Sequence, residues 1–265
     1  MLGKLLKYEL KSTAKFFVPM YIAILAITTL NSIFIRKDVF IEAQGIINMV
    51  IGGLFIAITT LTIVIIVKRF KKNLLGDEGY LMFTLPVKSS SLILSKYISA
   101  LIWVLLTIIV SSMAIIIYSN ALFTDIGGLF GDGTMFSINS IMISGTQLVK
   151  NNQDIIIIVS VIGLTLSAIS VVIFAIYNSI SIAQLPIFSK HKTVVSIISF
   201  FIIAKIINII YDFVNNFTPS INISNLEFIQ AFTKVTTIGI LENIFIVIIL
   251  FISLNYTLSK KLNLD

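Results

Sequence analysis

The chain has 265 residues, a net charge of +7, 57% hydrophobic side chains and only 12% charged ones, with a mean hydropathy of +1.06. A soluble globular domain carries about 25% charged residues, so this composition excludes an ordinary soluble fold and predicts an all-α, polytopic membrane protein. There is no cysteine and a single histidine, His191, which leaves no disulfide framework and no metal-ligand spacing to read. The positive balance does not point to nucleic acid, because the cations lie beside long apolar runs, where membrane orientation and anionic lipid account for them.

The first fifteen residues read MLGKLLKYELKSTAK. At about 100° per residue, Lys4, Lys7, Lys11 and Lys15 fall on one narrow stripe, and Leu2, Leu5, Leu6 and Leu10 on the opposite half. Residues 1–15 are therefore expected to form an amphipathic interfacial helix, with leucine toward acyl chains and lysine toward headgroups. Glu9 projects among the leucines, where pure lipid disfavours a carboxylate, so a protein partner on that side is the alternative to a plain anchor.

Six apolar runs follow, each near the roughly 20 residues that cross a bilayer. They cover Phe16–Ile35, Ile46–Val67, Tyr97–Tyr118, Ile155–Tyr177, Val194–Tyr211 and Thr236–Leu254. The first is too long for a signal peptide, and no small-residue cleavage site follows it. With the N-terminus taken as cytoplasmic, the inner segments hold fourteen cations: Lys4, Lys7, Lys11, Lys15, Lys68, Arg69, Lys71, Lys72, Lys88, Lys96, Lys190, Lys192, Lys260 and Lys261. The outer segments hold four: Arg36, Lys37, Lys150 and Lys234. That bias predicts that both termini face the cytoplasm. No soluble piece is long enough to build its own core, so residues 1–265 are expected to form a single transmembrane domain.

The largest inner feature is the segment 68–96. Lys68, Arg69, Lys71 and Lys72 carry the second helix into the headgroup region, and Gly76 is suited to end it. Asp77 is placed to cap a short helix whose first turn holds Glu78, with negative charge at the positive dipole end. Pro86 limits that helix to about two turns, and Ser89 or Ser90 caps the third span. A short helix lying across the membrane plane between two spanning helices is the expectation. The outer segments, 119–154 and 212–235, read either as irregular interface loops or, for the first, as a surface helix or lid.

Lys205 and Glu242 are the ionisable residues well inside the spans. They lie at similar depths in the fifth and sixth runs, and intramembrane charges are usually paired or functional. An ion pair joining those spans is the preferred expectation. Snorkelling of Lys205, and a cargo-contact or proton-relay role, are the alternatives.

The stretch KNLLGDEGYLMFTLPVKSSSLILSK, Lys72 to Lys96, resembles the cytoplasmic coupling region of bacterial ABC-2 type exporter permeases. In that family a basic stretch after the second span runs into DEGYL-x-FTLP and a serine-rich start to the third. The order of elements extends the resemblance along the whole chain, down to the short basic inner loop SISIAQLPIFSKHK. The resemblance implies that two permease subunits, a second copy or a homologous permease, sit on two ABC ATPase subunits. By motif match, Asp77, Glu78, Gly79, Tyr80 and Leu81 would enter a groove of the ATPase. ATP and Mg would be bound by that partner. This chain would hold no cofactor and no catalytic residue, in keeping with a sequence that contains no G-x-x-x-x-G-K-[ST].

Spans rich in Ile, Leu, Val and Phe, broken mainly by Gly, Ser and Thr, suit an amphipathic or hydrophobic cargo better than an ion or a sugar. Small six-span permeases of this type include exporters of antimicrobial peptides and phenol-soluble modulins, and lantibiotic-immunity permeases. The expected function is the permease of an ATP-driven exporter of amphipathic peptides in a bacterial plasma membrane. The rivals are an ion-coupled secondary transporter, which needs polar groups on broken helices near the midplane, and a non-transporting immunity or sensor partner.

Overall fold

Each of the six expected runs lies inside one continuous helix. The computed structural model describes residues 2–36, 44–75, 89–130, 152–188, 191–217 and 228–260. These residues form α1 (Leu2–Arg36), α2 (Gln44–Leu75), α3 (Ser89–Phe130), α4 (Asn152–Ile182), α5 (Lys192–Phe217) and α6 (Phe228–Lys260), with a 3-10 turn at Pro186–Phe188 between α4 and α5. No strand occurs among the described residues. All six helices are long and apolar enough to cross a membrane. The protein is an all-α, six-span membrane protein.

The shortest helix, α5, has 26 residues and the longest, α3, has 42. About 20 suffice to span the hydrocarbon, so every helix reaches beyond it. The ends follow local chemistry. α2 stops at Leu75, immediately before Gly76, and α3 starts at Ser89, both as the sequence predicts. α5 stops at Phe217, just short of the Thr218-Pro219 step, because a residue before proline is pushed out of the helical region. Several ends differ from expectation, and α5 and α6 both run into the outer segment 212–235, to Phe217 and from Phe228. α3 continues past Tyr118 to Phe130, since nothing before Gly127 breaks a helix. α1 is one continuous helix of 35 residues with Pro19 inside it, so the lysine-striped segment and the first span belong to a single helix.

The described residues gather into two compact units. One holds Lys7–Ile66 and Ile102–Lys150. Its core is Phe17, Tyr21, Ile24, Ile58, Trp103 and Ala114. The Phe17 and Trp103 rings stack at 4.4 Å with an interplanar angle of 11°. Polar atoms inside are chained together. Trp103 Nε1–H donates to Thr13 Oγ1 (2.7 Å), which donates to the Glu9 carbonyl (2.7 Å). The Tyr21 hydroxyl meets Thr107 Oγ1 at 2.8 Å, and Thr107 meets Thr62 at 3.2 Å. In a medium without water, such bonds are what lets hydroxyls and indoles sit inside the bundle.

The other unit holds Met1–Leu6, Val67–Leu101 and Asn151–Asp265. The second half of α4 is its axis, with Phe174, Tyr177 and Asn178 almost wholly enclosed. Asn178 Nδ2 donates to the Leu250 carbonyl of α6 at 2.9 Å and Ser199 Oγ of α5 to the Ser179 carbonyl at 3.0 Å. Toward the other end of α4, the backbones of α4 and α6 come close. A Cβ on Gly163 would meet Ile240 Cδ1 at 3.1 Å, and one on Gly239 would meet Leu164 Cδ1 at 3.0 Å. Each glycine receives the aliphatic side chain beside the other glycine, an interlock that larger residues would hold apart.

Candidate functional site

Three places carry the sequence-derived candidates. The first is the segment 68–96, where a coupling element was expected. Asp77, Glu78, Gly79, Tyr80 and Leu81 lie outside the described residues. The helix ends on either side of them are described, and both are fastened to α4. Phe70, near the end of α2, stacks on Tyr177 at 3.9 Å and 9°. The Tyr177 hydroxyl donates to the Lys96 carbonyl of α3 at 3.3 Å. Tyr97 stacks on Phe174 at 4.7 Å, and its hydroxyl meets Ser170 Oγ at 2.7 Å. Phe174 in turn packs edge-on against Phe251 of α6. An aromatic ladder thus ties the start of α3 and the end of α2 to α4 and α6. Lys96, counted above among the inner cations, is only 4% exposed and belongs to this enclosed layer.

The second place is the start of α1. Lys7, Lys11 and Lys15 are exposed, Leu5, Leu6 and Leu10 are half-buried, and Glu9 is 8% exposed. The side chain of Lys4 lies outside the described residues. The expected two-faced pattern is present from Leu5 onward, and the face carrying Glu9 is covered by protein. Thr13 explains part of that cover, because it lies one turn beyond Glu9 and receives the Trp103 indole.

The third place is the intramembrane charges. The structure does not bring Lys205 and Glu242 together. Lys205 is exposed, whereas Glu242 Oε1 is buried with no hydrogen-bond partner. The face of α5 that meets α6 carries Ile203, Ile207 and Ile210. Lys205 is two residues from Ile203 and from Ile207, about 200° around the helix from each. It therefore stands on the far side.

Sequence reasoning missed what surrounds Glu242. The Tyr211 hydroxyl donates to Asn243 Oδ1 at 2.5 Å, and Asn243 Nδ2 donates to Ser167 Oγ of α4 at 3.0 Å. Ser167 passes its own proton to the Leu164 carbonyl at 2.9 Å. Both hydroxyls of this relay have an acceptor, and one Asn243 amide N–H is used. Glu242, one residue before Asn243 and within electrostatic reach of Tyr211, is left out of it. One turn away, α5 and α6 enclose a groove of about 110 Å³ with no polar atom on its walls, lined by side chains that include Ile203, Ile207 and Ile210 and Ile246, Ile249 and Leu250. Glu242, Ile246 and Ile249 fall at i, i+4 and i+7, one stripe of α6, and Tyr211 continues the Ile203–Ile207 stripe of α5. Glu242 therefore lies one turn beyond the lining of an aliphatic trough, on the same stripe of α6. The signal for it was present in the sequence as an acid within an isoleucine-rich period, but the same letters fit an ion pair equally well.

Compared with protein-family models, with curated proteins and with solved structures, the chain matches none.

Proposed function

We propose that this chain is the membrane-spanning subunit of an ATP-driven exporter of the ABC-2 type, moving amphipathic peptides or similarly hydrophobic compounds out of a bacterial cell. Both termini face the cytoplasm, and a separate ATPase subunit supplies the energy. The observation that carries this reading is the pairing of the DEGYLMFTLP segment with its anchorage. The motif resembles a coupling element, and the two helix ends that bracket it are clamped by stacked aromatics to α4. A segment fixed at both ends to a packed helix passes on a push as rigid-body motion, whereas a slack loop would absorb it. The acidic pair Asp77-Glu78 supplies charge-assisted bonds that orient a partner. The six apolar helices, with their hydroxyls bonded inward, suit a cargo that is itself apolar on one side.

The experiment is co-purification with the ATPase encoded beside this chain, followed by ATP hydrolysis in lipid nanodiscs with and without candidate amphipathic peptides. Stable association and peptide-stimulated hydrolysis are expected. A chain that transports in vesicles on an ion gradient without any ATPase would instead be a secondary transporter.

A further inference from the structure

An acid held inside a membrane helix bundle is costly, and it is normally paired. Glu242 Oε1 is enclosed yet has no partner, although Tyr211, Asn243 and Ser167 beside it are hydrogen-bonded to one another. The obvious cation, Lys205, faces the other way. The trough next to Glu242 is purely aliphatic. A site made of an apolar channel with one negative charge at its end is complementary to an apolar chain with one positive charge at its end.

We infer that Glu242 and the α5–α6 groove form a seat for a lysine-bearing amphipathic peptide, with aliphatic side chains in the groove and a lysine ammonium on the Glu242 carboxylate. This deepens the exporter reading and rests on it for the identity of the occupant as cargo. Two features set the selectivity. The groove between Ile207 and Ile246 accepts only apolar atoms, because a polar group placed there would find no partner. The Tyr211 and Ser167 hydroxyls are already committed to Asn243 Oδ1 and the Leu164 carbonyl, and the Glu242 charge repels an anion, so a carboxylate or phosphate is disfavoured at this end, while an ammonium gains a charge-assisted bond.

The test uses the full chain in phosphatidylcholine nanodiscs without any ATPase. The probes are a fluorescent leucine–lysine amphipathic helix and its twin with every lysine acetylated, each corrected for binding to empty nanodiscs. The parent protein is expected to bind the lysine form about tenfold more tightly or better, the range of one charge-assisted bond. Glu242→Gln should bring the lysine form down to the level of the acetylated one and leave the acetylated one unchanged. Glu242→Asp should keep most of the preference. Ile249→Phe, which fills the groove, should weaken both peptides. On the unaltered protein, a membrane-permeant carbodiimide should link Glu242 to a peptide lysine as an amide, identified by mass spectrometry, so the result does not depend on any variant folding. Equal affinity for the two peptides, a preference that survives Glu242→Gln, or cross-links found only at other carboxylates would overturn the seat. Loss of the preference when phosphatidylethanolamine replaces part of the lipid would assign the carboxylate to a headgroup amine and overturn the peptide occupant. Hydrolysis and export are not read here. Failure of the ATPase-coupled reading therefore leaves this binding result standing, and failure of binding leaves that reading to its own test.

Discussion

Thr13 and Tyr21 show how differently two buried hydroxyls contribute. Thr13 Oγ1 is the acceptor for Trp103 Nε1–H. Thr13→Val keeps the shape and removes that acceptor, leaving an indole N–H enclosed and unbonded, which costs about 1–3 kcal/mol. Tyr21→Phe removes a hydroxyl whose partner, Thr107, still donates to the Trp103 carbonyl at 2.8 Å. That loss should be about 0.6 kcal/mol, the mean for hydrogen bonds inside membrane bundles. Unfolding of the two variants in mixed micelles checks the ordering. Reversal of it would mean that Trp103 finds another acceptor. At the intramembrane charges, Lys205 and Glu242 face different surroundings, so Lys205→Leu and Glu242→Leu should be additive in a double-mutant cycle to within about 0.5 kcal/mol. A larger coupling energy would restore the ion pair that the sequence suggested. Glu242→Gln should leave stability unchanged or raise it, because one carboxylate oxygen is enclosed without a partner, a pattern seen where function is kept at a cost in stability.

At the scale of the helix, close approach is concentrated where α4 and α6 exchange glycines. Gly239→Leu should destabilise by about 1–3 kcal/mol through overpacking against Leu164. Gly52→Leu on α2, where an added Cβ meets nothing within 4 Å, should change stability by less than about 0.5 kcal/mol. Comparable losses at the two sites would place Gly52 in an interface. The elements themselves were legible in the sequence because length and hydropathy determine a membrane span almost alone. The stop at Leu75 was announced by Gly76, whereas the fifth helix runs on to Phe217, past the expected end at Tyr211. The continuity of α1 was not announced, because a lysine stripe looks the same on a separate surface helix and on the first turns of a longer helix. The extension of α3 to Phe130 was hidden for a similar reason: polar residues such as Ser119 and Asn120 end an apolar run without ending a helix. The site was half legible. Glu242 stood out as a lone acid, but its direction depends on which face of α5 meets α6. That in turn depends on packing among isoleucines that composition cannot tell apart. The aromatic ladder from Phe70 to Tyr177 joins residues more than a hundred positions apart and carries no local pattern at all.

For the whole molecule, orientation is the first quantity to settle. Cysteines placed at Ser90 and Ser189 should react with an impermeant maleimide only from the cytoplasmic side, and one at Asn216 only from outside, as the cation distribution requires. Labelling of Ser90 from outside would invert the topology and with it the inner position of the coupling segment. Energy transfer is the second. The aromatic clamps at Phe70, Tyr177 and Tyr97 make the segment between Leu75 and Ser89 the natural handle on the unit built around α4. A partner that grips this handle gains leverage over α4 and α6, and through them over the trough beside Glu242.

The central claim is that this handle is held by an ATPase, and one comparison tests it most directly. Glu78→Lys, Tyr80→Ala and Lys71→Ala would be expressed at equal membrane abundance with the co-encoded ATPase, and co-purified ATPase and peptide export measured for each. Reversing a charge that faces a partner costs about 2–5 kcal/mol, and removing an aromatic anchor commonly costs about 2 kcal/mol or more. One lysine near anionic headgroups is worth only about 1 kcal/mol. Glu78→Lys and Tyr80→Ala should therefore lose most of the bound ATPase and of the export, while Lys71→Ala keeps both. If Glu78→Lys and Tyr80→Ala retain the ATPase and export peptide like the parent, the segment is not a coupling element, and the exporter reading falls with it.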